Sequence, residues 1–294
     1  MTVTHVEADD GTRLALHLHG EPDDTGPDDA GPDDAGPLLC LPGGPMLDSA
    51  YLRDLGGLAE QRAFARLDLR GTGASGVPAD PASYRCDRQV ADIDAVRREL
   101  GLERLDLMAH SAGANLAYRY AELRPERVRR LLLVTPSPRG VGIETTDEAR
   151  TAMARRRSGE PWYAEAAAAL ERVQAGSVDE ADWRGISALM YGRWDDEARA
   201  YEAWMDERRL EEPATVWGAD GAFEPGATRR ALAALDVPVL VLAGGCDTGN
   251  PTPVMAEVAA LFPRGELAVQ EGAGHFPWVD DPAGFVDLVA PFVR

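Results

Sequence analysis

From Leu38 onward the chain alternates short apolar runs with helical patterns, and this alternation constrains its fold more than any other feature. "LLCL" (Leu38–Leu41), "AFARLDL", "LDLMA" and "VRRLLLVTP" are strand-length segments with little polar interruption. Between them stand a segment predicted as helical over 49–61, then "DRQVADIDAVRREL" with Val90, Ile93, Val96 and Leu100 on one face, then "SAGANLAYRYAEL". Strands without a polar face must be covered on both sides, so the pattern predicts a mostly parallel sheet flanked by helices. The alternation stops near Ser137. It resumes with "VPVLVLAGG", a helix over 251–261, the strand "ELAVQ" and a last helix over Pro282–Val293.

The interval 137–230 is rich in Ala, Arg, Glu and Trp at helical spacing, without a convincing strand. It is predicted as a helical lid inserted into an α/β core made of 1–136 and 231–294. Five of the six tryptophans fall in it. Of these, Trp194, Trp204 and Trp217 are the candidate substrate contacts, although such rings equally suit the lid's own core. Ahead of the core, "RLALHLHGE" alternates polar and apolar residues as a half-exposed strand does. The repeat of Gly-Pro-Asp-Asp over 22–37 combines residues that cannot pack, and is predicted as a flexible loop.

Composition excludes some functions. The formal net charge is −20 and all 30 basic residues are arginine, so neither nucleic acid nor an anionic membrane is the expected partner. Without lysine there is no lysine-based Schiff-base chemistry and no lysine acylation base. Cys40, Cys86 and Cys246 are scattered, with no spacing suited to disulfides or zinc, which predicts a reducing compartment. "MTVTHVEADDG" has no signal-peptide pattern, and no run of about 18 apolar residues occurs. A cytoplasmic protein acting on a small molecule or a short peptide is expected.

Ala109-His110-Ser111-Ala112-Gly113 lies between a predicted strand and a predicted helix. Small residues at 109 and 113 permit the sharp turn of a nucleophile elbow, with Ser111 at its apex. His110 adjoins it, but consecutive side chains on a tight turn diverge. His275, in the glycine-flanked "EGAGHFPWVDDP" after the last strand, would emerge at the same carboxyl edge of the sheet and is the expected base. A base histidine needs a carboxylate to fix its tautomer. Asp247 in "VLAGGCDTGNP" is the expected one, whereas its rivals Asp280 and Asp281 are predicted to cap the last helix. In "CLPGGPMLDSAY" the backbone N–H of Gly44, with that of Ala112, could bind an oxyanion. "DLRGTGASG" has no phosphate-loop spacing and is predicted as a supporting turn.

These segments together resemble the α/β-hydrolase family, and within it the proline iminopeptidase-like group. "PGGPM" is similar to that group's His-Gly-Gly-Pro-Gly loop, with Pro42 and Met46 as departures, and "DLRGTGAS" to its Asp-x-Arg-Gly-x-Gly-x-Ser segment. "GGCDTGNP" and "GAGHFPW" resemble its acid and base loops, while "AHSAG" looks more like an esterase or lipase elbow. The resemblance implies Ser111, Asp247 and His275 as triad, the amides of Gly44 and Ala112 as oxyanion hole, and no metal or organic cofactor. The expected function is a serine hydrolase cleaving an ester, lactone or amide of a small apolar substrate. A proline iminopeptidase-type aminopeptidase is the first alternative. An acyltransferase or a non-catalytic binding protein on the same scaffold is the alternative of another class.

Overall fold

The computed structural model describes residues 2–20 and 36–294. The repeat predicted as a loop over 22–37 therefore lies outside the described residues, apart from its last two. Eight strands form one sheet: β1 (Thr2–Glu7), β2 (Arg13–His19), β3 (Leu38–Leu41), β4 (Phe64–Leu67), β5 (Leu105–His110), β6 (Val128–Val134), β7 (Val239–Gly244) and β8 (Gly265–Gln270). Their spatial order is β1-β2-β4-β3-β5-β6-β7-β8. β2 pairs antiparallel with β1 and β4, and every other pair is parallel.

The side-chain period of two sorts the central strands into two cores. Leu39, Leu41, Leu107, Ala109, Leu131, Leu133, Val239 and Val241 face one cluster. Leu38, Cys40, Met108, Leu132, Val134, Leu240 and Leu242 face the other. The first is closed by α1 (Val90–Glu99), α2 (Gly113–Leu123) and α9 (Thr252–Ala259). In α1 the residues Val90, Ile93 and Val96 are buried there and Leu100 packs alongside, as their spacing requires. The second is closed largely by α11 (Pro282–Val293), through Phe285, Val289 and Val293.

The segment predicted as one helix over 49–61 is instead two 3₁₀ turns, Ser49–Leu52 and Leu55–Glu60. Gly56 and Gly57 take positive φ and Arg53 and Leu55 do as well, so no α-helical hydrogen-bond ladder runs through. Between β6 and β7 the chain forms α3 (Asp147–Arg155), α4 (Tyr163–Gln174), α5 (Glu180–Gly185), α6 (Asp196–Asp206), α7 (Glu211–Trp217) and α8 (Pro225–Leu232). The predicted boundary at 230 falls inside α8. Leu232 is buried in the first core, and the Thr228 hydroxyl donates to Glu122 of α2 at 2.6 Å. By packing, α8 belongs to the sheet's helical layer. The short α10 (Pro277–Asp280) precedes α11. Among the described residues no helix is long and apolar enough to cross a membrane.

The strand order reverses direction around β3. The chain leaves β3 for β4 on one side and returns to β5 on the other, which opens a crevice at the carboxyl ends of β3 and β5. Gly43 and Ser111 follow these two ends.

Candidate active site

Ser111 has φ of +50°, an unusual backbone conformation for a residue with a side chain. Its N–H donates to Val134 C=O at 3.1 Å, and its own carbonyl accepts from Ser137 N–H at 2.9 Å, so neighbouring loops hold the turn. Two glycines permit it. A Cβ at Gly113 would lie 2.5 Å from Pro42 O, and one at Gly43 would lie 2.8 Å from Ser111 Cβ. The "PGGPM" loop and the elbow therefore abut. Ala112 opens α2, where N–H groups lack intrahelical partners and the helix dipole favours negative charge.

His275 lies beside the elbow although 164 positions away in sequence: its Nε2 is 2.9 Å from Ser111 Oγ. Its Nδ1 is 2.8 Å from Asp247 Oδ2. Asp247 is fully buried, and its Oδ1 accepts the amides of Gly249 at 2.9 Å and Asn250 at 3.1 Å. The three side chains predicted from sequence are thus brought into one hydrogen-bonded line. With Asp247 accepting from Nδ1–H, the Nε2 lone pair points at the serine hydroxyl.

His110 is directed elsewhere. Its Nδ1 lies 2.7 Å from the Tyr51 hydroxyl, and its Nε2 lies 2.9 Å from the carbonyl oxygen of His275. Burial, with the ring of His275 nearby, holds its pKa well below the usual histidine range, so the ring is neutral. The "DLRGTGASG" turn is organised around Asp68, which accepts from the Ser49 amide and hydroxyl, the Ala74 amide and the His17 ring. Burial alone would raise its pKa, but these donors outweigh it and hold the carboxyl below its ordinary value.

Asp281 caps α11, accepting from Gly284 N–H at 3.0 Å. Asp280, expected to do the same, does not. Its carboxylate accepts the amides of Gly274 at 2.7 Å, Gly192 at 2.9 Å and Arg193 at 3.3 Å, fastening the insert to the loop that carries His275. His275 N–H donates to Met190 C=O of the insert at 2.6 Å, and the Thr135 hydroxyl, just after β6, donates to His275 C=O at 3.0 Å. No sequence signal marks Tyr51, Thr135 or Asp280 for these contacts. Tyr51 stands inside an expected helix, Thr135 directly follows β6, and the cap motif draws both aspartates to one role.

Ser111 and His275 open onto a cavity of about 930 Å³. Gly44, Leu47, Tyr51 and Phe276 line it from the core. The insert contributes Val178, Trp183, Ile186, Met190 and Met205, and also Glu180, Glu202, Asp206, Glu207 and Glu211 against Arg184 and Arg209. The tryptophans singled out from sequence are placed differently. Trp217 is buried in the first core, and Trp194 and Trp204 pack on Tyr191 and Tyr201. None of the three lines this cavity, whereas Trp183, half exposed, does. Among the described residues no group of three or more His, Cys, Asp or Glu side chains is arranged to hold a metal ion.

Comparison with known proteins agrees with this architecture. The family model described as "alpha/beta hydrolase fold" matches residues 36–282. N-formylmaleamate deformylase of Pseudomonas putida is 31% identical over 229 residues, covering 77% of each chain. A proline iminopeptidase of Heyndrickxia coagulans is 20% identical over 268 residues, 87% of this chain and 90% of that one. Among solved structures, the proline iminopeptidase of Mycobacterium smegmatis superposes with a TM-score of 0.73 at 24% identity, covering 99% of this chain and 97% of that one. The chain belongs to the α/β-hydrolase fold family, related to its proline iminopeptidases, and is a hydrolase enzyme.

Proposed function

We propose that the chain is a serine hydrolase in which Ser111, His275 and Asp247 form the catalytic triad and the amides of Gly44 and Ala112 the oxyanion hole. The observation that carries this is the unbroken line of hydrogen bonds from Ser111 Oγ through His275 to Asp247, opening onto the cavity. Attack of Ser111 on a substrate carbonyl passes its proton to His275 Nε2. Asp247 stabilises the imidazolium. Neither Gly44 N–H nor Ala112 N–H donates to a backbone carbonyl among the described residues, so both remain available for the oxyanion. Each such donor is worth roughly 10²–10³ in rate. His275 then protonates the leaving alcohol or amine, and the acyl group stays on Ser111. Water, deprotonated by His275, releases the acid and restores the serine.

The cavity supports a small acyl substrate, since about 300–1,000 Å³ is usual for a compact ligand. Its lining combines apolar side chains with five carboxylates against two arginines, all seven of these charges on the insert. A neutral or cationic ester, lactone or amide fits this lining better than a carboxylate-bearing compound. A second reading, aminopeptidase action, draws support from Glu202. Ser187 Oγ at 2.9 Å and Tyr191 OH at 2.6 Å hold its carboxylate in the cavity wall, where it could accept a free amine.

Comparing kcat/KM for p-nitrophenyl butyrate and proline p-nitroanilide, with Ser111→Ala as the blank, tests these readings. Ester hydrolysis that depends on Ser111 is expected. A strong preference for the prolyl anilide would make the second reading the correct one. Inactivity of a folded enzyme on both, and on short acyl lactones, would oppose the hydrolase mechanism.

A further inference from the structure

Two buried side chains that the triad does not use, Tyr51 and His110, lie between the parts of the site. The direction of every hydrogen bond through them is determined. A carbonyl only accepts, so the bond from His110 to His275 C=O places the proton on Nε2. The neutral ring then has a bare Nδ1, which must accept the Tyr51 hydroxyl proton at 2.7 Å. Having donated, the tyrosine oxygen accepts Gly43 N–H at 2.6 Å. The path runs one way, from Gly43 N–H to Tyr51, to His110 and to the main chain of His275.

The two ends of this path are functionally distinct. Gly43 precedes Gly44, which lines the cavity and whose amide donates to no backbone carbonyl among the described residues, so with the Gly43 amide already engaged the proposed oxyanion donor on this loop is Gly44. His275 carries the base, with its ring fixed by Asp247 and its carbonyl by His110 and Thr135. Between them His110 is the residue directly before the nucleophile. Both side chains are essentially inaccessible: Tyr51 is 1% and His110 1% exposed. The insert also reaches this pair, because the Tyr201 hydroxyl donates to Tyr51 C=O.

We propose that Tyr51 and His110 are positioning residues that hold the oxyanion loop and the main chain of the base in register with Ser111, acting on turnover rather than on substrate affinity. This rests on the serine-hydrolase reading above. Tyr51→Phe removes one oxygen and leaves the ring packing in place. His110→Gln keeps a donor and an acceptor, and His110→Leu keeps the bulk without either.

The test measures kcat and KM on p-nitrophenyl butyrate together with thermal melting, after titrating each protein with a fluorophosphonate to count reactive Ser111. Tyr51→Phe and His110→Leu are expected to lose about 10- to 100-fold in kcat, the scale of a displacement of about 1 Å at a reacting centre, with KM within about threefold. His110→Gln is expected to recover a substantial part of the loss seen in His110→Leu. If the wild type reacts at Ser111 while Tyr51→Phe and His110→Leu both keep kcat within about twofold, the positioning role is wrong and the triad stands. The positioning role is equally wrong if kcat falls only in proportion to the folded fraction. If the wild type does not react at Ser111, the hydrolase reading fails and this inference with it. Should Tyr51→Phe not fold, the contrast between His110→Gln and His110→Leu decides alone.

Discussion

The ring of His110 and the main chain of His275 are joined by a 2.9 Å hydrogen bond, while the ring of His275 turns to Ser111 at the same distance. Two histidines therefore flank the serine with separate tasks. One is neutral and bound to the main chain, and the other stands in line with Ser111 and Asp247, as the proposed proton transfer requires.

Replacing Asp247 with Asn should preserve the fold and most of the site's shape but present the wrong tautomer of His275. A loss of roughly 10⁴ in kcat is expected, with KM changing little. Steady-state kinetics on p-nitrophenyl butyrate checks this. A loss below about tenfold would show that another carboxylate orients the base.

Asp280→Ala should weaken the join between the insert and the His275 loop. It leaves the amides of Gly192, Gly274 and Arg193 without their acceptor. Gly274 is buried and Gly192 partly so, and each donor left unmatched costs about 1–3 kcal/mol, whereas Arg193 is exposed, so a destabilisation of about 2–6 kcal/mol is expected in urea unfolding. Activity at low temperature should fall mainly through KM, because the insert supplies much of the cavity's lining. Unchanged stability would show that these amides find other partners.

The paired carboxylates at the cavity wall should select by charge. At low salt, kcat/KM for a neutral aryl acetate should exceed that for the corresponding hemisuccinate by about tenfold or more, the range over which local charge steers association. Raising ionic strength should narrow the gap, since exposed charges are screened beyond about 8–10 Å. Equal rates at low salt would mean that Arg184 and Arg209 neutralise the wall.

Acid should weaken the fold through His19. Burial, with Arg66 adding to it, lowers its pKa to about 4, against 6.5 for the free side chain. The unfolded chain therefore takes up the proton first. Stability is fully present above pH 6.5 and is lost progressively as pH falls towards 4. His110, neutral for the same reason, acts with the same sign. His19→Phe, which keeps the stack on Phe64, should flatten the decline of the urea midpoint between pH 6.5 and 4. An unchanged slope would assign the decline to other groups.

Much of the fold is legible in the sequence because strands buried on both faces leave an unmistakable apolar signal. Leu38–Leu41 and Val239–Gly244 show it plainly, and the last helix is readable to its ends from Pro282 and the Asp281 cap. Residues 49–61 depart from the expected helix for a local reason. Their composition suits a helix, but Gly56 and Gly57 release the chain into positive φ, where tertiary contacts decide. In the site, Ser111, Asp247 and His275 can be assembled from sequence because each follows a strand at one edge of a parallel sheet. The cavity wall cannot. Trp183 and Trp217 have similar helical surroundings in sequence, yet one faces the cavity and the other the core. That choice depends on how α5 and α7 pack, which spacing along one helix does not encode. The Tyr51–His110 pair is hidden likewise, since it joins elements 59 positions apart.

The most direct measurement is mass spectrometry of the protein after brief exposure to a fluorophosphonate. Arginine occurs at 104 and 119, so trypsin releases Leu105–Arg119 with Ser111 inside it. A single adduct on that peptide is expected in the wild type, absent in Ser111→Ala and much slower in His275→Ala. A folded wild-type protein that stays unmodified, or carries its adduct on another serine, would contradict the assignment of Ser111 as the activated nucleophile.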